Sequence, residues 1–119
     1  MYILVAEDDE ALRLLLTDFL EGLGHTVKSA ENGMELVKTA LSKRPELVIT
    51  DLHMPEMAGN SMIAMLDMYP DLSGLPVIII TGATAGELAD MGIPKEIPVL
   101  SKPFDFAKIT AAVERIAEK

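Results

Sequence analysis

The sequence contains no cysteine, so disulfide bonds and thiolate metal sites are excluded. Basic residues are few: 10 lysines and arginines stand against 19 aspartates and glutamates, for a formal net charge of -9. Phosphate backbones repel such a surface, so direct binding of nucleic acid is disfavoured. An excess of carboxylates is compatible with a divalent cation, although acidity by itself usually serves only solubility.

Long apolar runs are missing as well. No uninterrupted run approaches the roughly 20 residues that span a bilayer. The opening residues MYILVAEDDE pass from an apolar strand directly into acids and lack the basic leader of a secretory signal. With 119 residues, half of them apolar, the chain has the size of one domain with a single core, and we expect a cytoplasmic protein without membrane contact.

Apolar and amphipathic segments alternate along the whole chain. The apolar segments are predicted as strands, at residues 2–6, 25–30, 46–50, 76–81 and 97–101. The amphipathic segments are predicted as helices, over residues 9–23, from 32 to just before 45, over 60–69 and 85–91, and from 105 onward. This alternation predicts an α/β, doubly wound (βα)5 fold, with a five-stranded parallel sheet flanked by helices on both faces.

The predicted helices carry apolar stripes and end signals. The stripe of the first contains Leu12, Leu15, Leu16, Phe19, Leu20 and Leu23, followed by Gly24 as C-cap. The second begins at Asn32 with Leu36, Val37, Ala40 and Leu41, the third carries Met62, Ile63, Leu66 and Tyr69, and the last begins at Asp105 with Phe106, Ile109, Val113 and Ile116. The fourth is expected to be weak because Gly82, Gly86, Gly92 and Pro94 surround it.

Polar side chains follow four of the predicted strands where each strand ends. The set comprises Glu7, Asp8 and Asp9 after the first, Asp51 after the third, Thr81 at the fourth, and Ser101 and Lys102 at the fifth. Ligands of open α/β sheets bind at the carboxyl ends of the strands, where the strand order reverses. We therefore expect the acids, the hydroxyl and the lysine to converge on one edge of the sheet.

Such a convergence has a chemical consequence. Two carboxylates about 5 Å apart repel by roughly 3 kcal/mol at an effective dielectric constant near 20. Mg²⁺, a small cation that prefers oxygen ligands, would offset this repulsion. Together with the Thr81 hydroxyl and the Lys102 ammonium, an acceptor carboxylate and a metal are the parts needed for phosphoryl transfer. Singly, each residue also has an ordinary interpretation: Asp51 as a turn residue, the EDDE run as a helix-dipole complement and Lys102 as a surface lysine.

The segments ILVAEDDEALR, VITDLHMPEMAG, VIIITG and LSKPF closely resemble the receiver domain of two-component response regulators, over the entire chain, residues 1–119. The resemblance implies a flavodoxin-like fold, with Asp51 as phosphoacceptor. It implies that Asp8, Asp51 and the backbone carbonyl of His53 bind Mg²⁺ directly, and Glu7 through water. Counting back from Arg13 assigns the family's acid pair to Glu7 and Asp8. It further implies that Thr81 and Lys102 hold the phosphoryl oxygens, and that the Lys102–Pro103 bond is cis.

The resemblance also implies a function and partners. A histidine kinase or a histidine phosphotransfer protein would donate the phosphoryl group, and the receiver would then bind a downstream protein or pass the group along a phosphorelay. The chain would act on itself alone, through phosphorylation and dephosphorylation of Asp51. Two alternatives are a phosphatase of the haloacid dehalogenase type and a platform that only binds partners. Such a phosphatase needs a second acid two residues after the nucleophile, and this chain has His53 at that position.

Some residues depart from the resemblance. Receivers of the chemotaxis type carry an aromatic residue three positions before the lysine, where this chain has Val99, and Gly82 follows Thr81 where alanine is usual. These departures leave phosphoacceptance untouched but affect how the signal leaves the domain. We expect residues 82–98 to transmit it, and Leu14, predicted to lie opposite the buried stripe of its helix, is a candidate partner contact.

Overall fold

Five parallel strands form the centre of the fold in the computed structural model, which describes residues 1–52, 59–82, 84–90, 93, 96–103 and 105–118. The strands are β1 (Tyr2–Ala6), β2 (Thr26–Ala30), β3 (Leu47–Thr50), β4 (Val77–Thr81) and β5 (Val99–Ser101). Their order across the sheet is β2-β1-β3-β4-β5. Successive strands are therefore added on opposite sides of β1, and the strand order reverses between β1 and β3. The predicted (βα)5 fold with a parallel sheet is confirmed.

Helices cover both faces of the sheet. They are α1 (Glu10–Gly22), α2 (Gly33–Ser42), α3 (Gly59–Met68), α4 (Ala85–Asp90) and α5 (Phe106–Ala117), with one turn of 3-10 helix at Pro70–Leu72. Alternate residues of the strands face opposite layers, so Ile3 and Val5 pack with Leu16 of α1 and Ile109 of α5. On the other face, β1 packs against α2 and α3, and Leu88 of α4 lies at the margin of that core. No helix in the described part of the chain is both long and apolar enough to cross a membrane.

Local sequence signals explain where several helices begin and end. Asn32 and Asp105 are the N-caps of α2 and α5, as predicted, and their side chains accept hydrogen bonds from backbone N–H groups of the first turn. Gly24 adopts a positive φ of 97° after α1. Its N–H donates to the carbonyl of Glu21 and that of His25 donates to Leu20, a pairing that closes the helix with a left-handed residue. The predicted glycine C-cap is confirmed.

Other helical predictions were wrong in detail. Leu15, Leu23 and Leu41 are 47%, 44% and 43% exposed, because the apolar stripes of α1 and α2 are wider than the surfaces that meet the sheet. Phe106 and Tyr69 are also partly exposed, and the Phe106 ring stacks on Phe19 with centroids 4.3 Å apart.

The fifth strand is shorter than predicted, since Pro98 has no N–H to donate. Gly92, Pro94 and the side chains of Met62 and Ile63 lie outside what the structure describes.

The fourth helix, α4, begins with a capping motif that the sequence analysis did not identify. The N–H of Thr84 donates to Glu87 Oε1, and the N–H of Glu87 donates to Thr84 Oγ1, both at 3.2 Å. This reciprocal pair is a capping box, which satisfies two backbone donors at the helix start. The Thr-x-x-Glu spacing was visible in the sequence. The helix remains short, at six residues.

Candidate functional site

Backbone hydrogen bonds continue the sheet for one residue beyond three of its strands. The N–H of Glu7 donates to the carbonyl of Ala30, and that of Asp51 donates to Ala6. The N–H of Lys102 donates to the carbonyl of Thr81 at 2.8 Å. The three residues are therefore fixed by the sheet itself at its carboxyl edge, and Glu7 and Asp51 follow the two strands between which the strand order reverses.

The carboxylates of Glu7, Asp8 and Asp51 gather at this edge. Each contributes an oxygen to a group in which all lie within 4.8 Å of one another. Glu7 and Asp51 are 3% and 7% exposed, whereas Asp8 is exposed, so the cluster opens to solvent on the Asp8 side. A small cation could approach from that side and find three carboxylate ligands, which suits Mg²⁺.

Lys102 reaches the same cluster from β5. Its Nζ donates to Glu7 Oε1 at 2.8 Å and to Asp51 Oδ2 at 2.7 Å, and its side chain is 24% exposed. One ammonium is thus shared by two buried carboxylates. The cluster keeps an excess of negative charge, because Asp8 is a third carboxylate against the same single ammonium.

The electrostatics of the two partners reflect this sharing. Burial raises the pKa of Glu7; the hydrogen bond from Lys102 acts in the opposite direction, and the neighbouring Asp8 and Asp51 raise it further. Burial lowers the pKa of Lys102, but its hydrogen bonds with Asp51 and Glu7 outweigh that effect, so the pKa is raised overall. Lys102 therefore stays charged. The hydrogen bond from Lys102 does not fully offset the cost of burying the Glu7 carboxylate in its ionised form.

The other predicted site residues have different surroundings. Thr81 ends β4, is buried, and is linked to Lys102 through its backbone carbonyl. The Asp9 carboxylate caps α1 by accepting from the N–H of Leu12 at 3.0 Å, in keeping with an acid pair of Glu7 and Asp8. The Lys102–Pro103 bond is cis, as the resemblance implied. His53, expected to supply a backbone carbonyl to the metal, lies outside the described residues.

Arg13 takes a part in the site that the sequence did not predict. In the sequence, Arg13 only marked the spacing that identifies the acid pair. In the structure, its Nη1 donates to the backbone carbonyl of Glu7 at 2.9 Å. No local pattern announces a bond from a helix side chain to a carbonyl six residues earlier. It depends on how α1 packs against the end of β1.

A five-stranded parallel sheet with acids and a lysine at its carboxyl edge agrees with the receiver domain that the sequence resembles. The family model described as response regulator receiver domain matches residues 3–114. The chain belongs to this family.

Similar proteins include whole regulators and single domains. The chain is 33% identical over 112 residues to the DNA-binding transcriptional regulator NtrC of Escherichia coli K12, covering 93% of this chain but 24% of NtrC, so it spans about a quarter of that relative's length. It is 34% identical over 116 residues to the response regulator receiver protein CpdR of Brucella abortus, covering 96% and 94%.

A solved structure has the same fold at low sequence identity. It is the receiver domain of the sensor histidine kinase PA1611 of Pseudomonas aeruginosa PAO1, which holds a magnesium ion in its active site cleft. The TM-score is 0.90 at 21% identity, covering 99% of this chain and 98% of that one.

Proposed function

We propose that residues 1–119 form one phosphoacceptor domain of a two-component system, in which Asp51 accepts a phosphoryl group from a phosphohistidine of a partner protein. The observation that carries this proposal is the pair of short contacts from Lys102 Nζ to Asp51 and Glu7, beside the third carboxylate of Asp8. Family membership favours this function over a phosphatase of the haloacid dehalogenase type and over a platform that only binds partners.

The donor set fits Mg²⁺. It contains only oxygens, is partly open to water and carries more negative charge than Lys102 can balance. Asp8, Asp51 and the backbone carbonyl of His53 would bind the ion directly, and Glu7 through water. Bound there, Mg²⁺ would neutralise charge on the phosphoryl oxygens. The magnesium ion in the PA1611 receiver supports this assignment.

The residues of the chain divide the reaction between them. One Asp51 carboxylate oxygen forms a bond to phosphorus while the phosphorus–nitrogen bond of the donor breaks, and the electron pair of that bond returns to the donor imidazole. Lys102, held 2.7 Å from Asp51 Oδ2, would then pair with a phosphoryl oxygen. The Thr81 hydroxyl would donate to another. Hydrolysis of the acyl phosphate returns Asp51 to its starting state.

The donor is a histidine kinase or a histidine phosphotransfer protein. We expect it to contact α1, which begins just after the acidic segment and presents Leu14 and Leu15 at 54% and 47% exposure. The phosphorylated domain then binds a downstream protein or passes the group along a phosphorelay. The net charge of -9 disfavours direct contact with nucleic acid, and we expect the protein in the cytoplasm.

Acetyl phosphate, a small phosphoryl donor, tests the proposal without knowledge of the partner. With Mg²⁺, the intact mass should increase by one phosphoryl group, and excess EDTA should prevent the increase. Asp51→Asn should remove the adduct, whereas Asp67→Asn, at an exposed aspartate of α3, should leave it in place. An adduct that persists in Asp51→Asn would refute the assignment.

A further inference from the structure

The Arg13 guanidinium joins three segments at the acidic edge of the sheet. The side chain belongs to α1 and is 11% exposed. Its Nη1 donates to the carbonyl of Glu7 at 2.9 Å, and its Nη2 lies 3.8 Å from Oε1 of Glu31, which follows β2. Because Glu31 is 68% exposed, the bond to Glu7 is the stronger tether.

The Glu7 carbonyl is the oxygen of the peptide that links Glu7 to Asp8. The N–H of Glu7 is already held by Ala30, so Arg13 holds the other side of the same residue. Glu7 is 3% exposed, which leaves its carbonyl little access to water. An unpaired buried carbonyl tends to turn toward a new partner, and rotation of this peptide would redirect Asp8.

We infer that Arg13 is a positioning residue for the cation site, which it serves by fixing the Glu7–Asp8 peptide and so the direction of both carboxylates. The inference rests on the proposed function, since it assigns a further residue to the same site. Groups that hold metal ligands in place typically change metal affinity by about 10- to 100-fold when they are removed.

The sign of the effect separates positioning from simple electrostatics. Arg13 is a cation near the site, so its charge alone repels Mg²⁺. If charge dominated, its removal would tighten Mg²⁺ binding; if positioning dominates, its removal weakens binding. The two readings therefore predict opposite changes in the dissociation constant.

The chain offers a matched control in Arg44. Its guanidinium also donates to backbone carbonyls, with Nε 2.9 Å from the carbonyl of Asp71 and Nη2 3.4 Å from that of Ser73. These bonds hold the 3-10 turn after α3, away from the acidic cluster. Arg44→Met therefore removes guanidinium-to-carbonyl bonds of the same kind, at an exposed position that does not contact the acidic cluster.

Isothermal titration of the full chain with Mg²⁺ alone provides the test. Arg13→Met should weaken binding by about tenfold. Arg13→Lys, which keeps one donor and the charge, should recover most of the affinity, and Arg44→Met should bind as the wild type does. Melting temperatures measured in the absence of metal provide the control for a general loss of stability. We expect both methionine variants to share such a loss.

An unchanged or smaller Mg²⁺ dissociation constant in Arg13→Met overturns the inference. If that variant does not fold, Arg13→Gln, whose side chain is too short to span the same distance, is judged by the same criterion. A wild type that binds Mg²⁺ and is phosphorylated by acetyl phosphate, with Arg13 variants of equal affinity, refutes the positioning role alone. A wild type that does neither refutes the proposed function as well.

Discussion

At the scale of single residues, the site is a cluster of three carboxylates, two of which share the Lys102 ammonium. Lys102 contacts Glu7 and Asp51 directly, and Asp8 completes the carboxylate group. Without metal, the remaining repulsion is a cost that the fold bears. Removing any one acid should relieve part of this repulsion, but it also removes a candidate ligand.

Asp8→Asn separates these two effects. The variant should bind Mg²⁺ more weakly because a direct ligand is lost, yet without metal it should be at least as stable as the wild type, since carboxylate repulsion is reduced. Melting temperatures in EDTA and calorimetric titration with Mg²⁺ measure the two properties. A metal-free melting temperature clearly below that of the wild type would argue against crowded carboxylates.

Glu7 should give the metal-free protein a characteristic pH dependence. Burial raises its pKa in the folded state above the ordinary 4.5, so in the window from 4.5 up to the raised value the folded state binds more protons than the unfolded state. The contribution of Glu7 to stability is therefore fully present below that window and is lost as the pH rises through it.

Urea unfolding in EDTA across this pH range isolates the effect when wild type and Glu7→Gln are compared. The glutamine variant should gain in relative stability as the pH rises, because it cannot ionise. Parallel stability curves for the two proteins would show that the folded-state pKa of Glu7 is not raised.

At the scale of elements, α4 is the shortest α-helix that the structure describes, and the Thr84–Glu87 capping box satisfies backbone donors at its start. It follows Thr81, which we expect to move toward the phosphoryl group. Val99 offers no aromatic ring to report that movement. A short segment with little intrinsic stability is the kind of element that switches.

We therefore predict that backbone amides of residues 82–98 exchange quickly in the resting protein and become protected when fluoroberyllate, a phosphoryl mimic, binds at Asp51. Within this segment, residues 83, 91–92 and 94–95 lie outside the described part of the chain. Hydrogen exchange followed by mass spectrometry, with and without the mimic, measures this. The Asp51→Asn variant treated in the same way is the control. Protection that changes around Asp51 but stays constant across 82–98 would move the output surface elsewhere, with α1 around Leu14 as the next candidate.

The same scale shows what the sequence could and could not predict. The strands and the caps at Asn32 and Asp105 follow from local signals, so they were predicted from short stretches of sequence. Which leucines of α1 face the core depends on how far the sheet extends beneath the helix, and Leu15 was therefore misassigned. The Arg13 contact depends on the packing of α1 and left no periodic signal.

At the scale of the whole molecule, the sheet brings together residues that are distant in sequence. Lys102 lies 95 residues from Glu7 and 51 from Asp51, yet it contacts both. The carboxyl ends of parallel strands meet at one edge, so this gathering could be predicted from strand ends alone. The distances, and the sharing of one ammonium between two acids, required the structure.

We propose that the carboxyl edge of the sheet directs a phosphoryl group onto Asp51. The most direct test is to treat the protein with acetyl phosphate and Mg²⁺, reduce it with borohydride, which converts an aspartyl phosphate to homoserine, and map the product by peptide mass spectrometry. We expect homoserine at position 51 and at no other aspartate. Homoserine at Asp8 or another acid, or a phosphoryl group that resists borohydride, would contradict it.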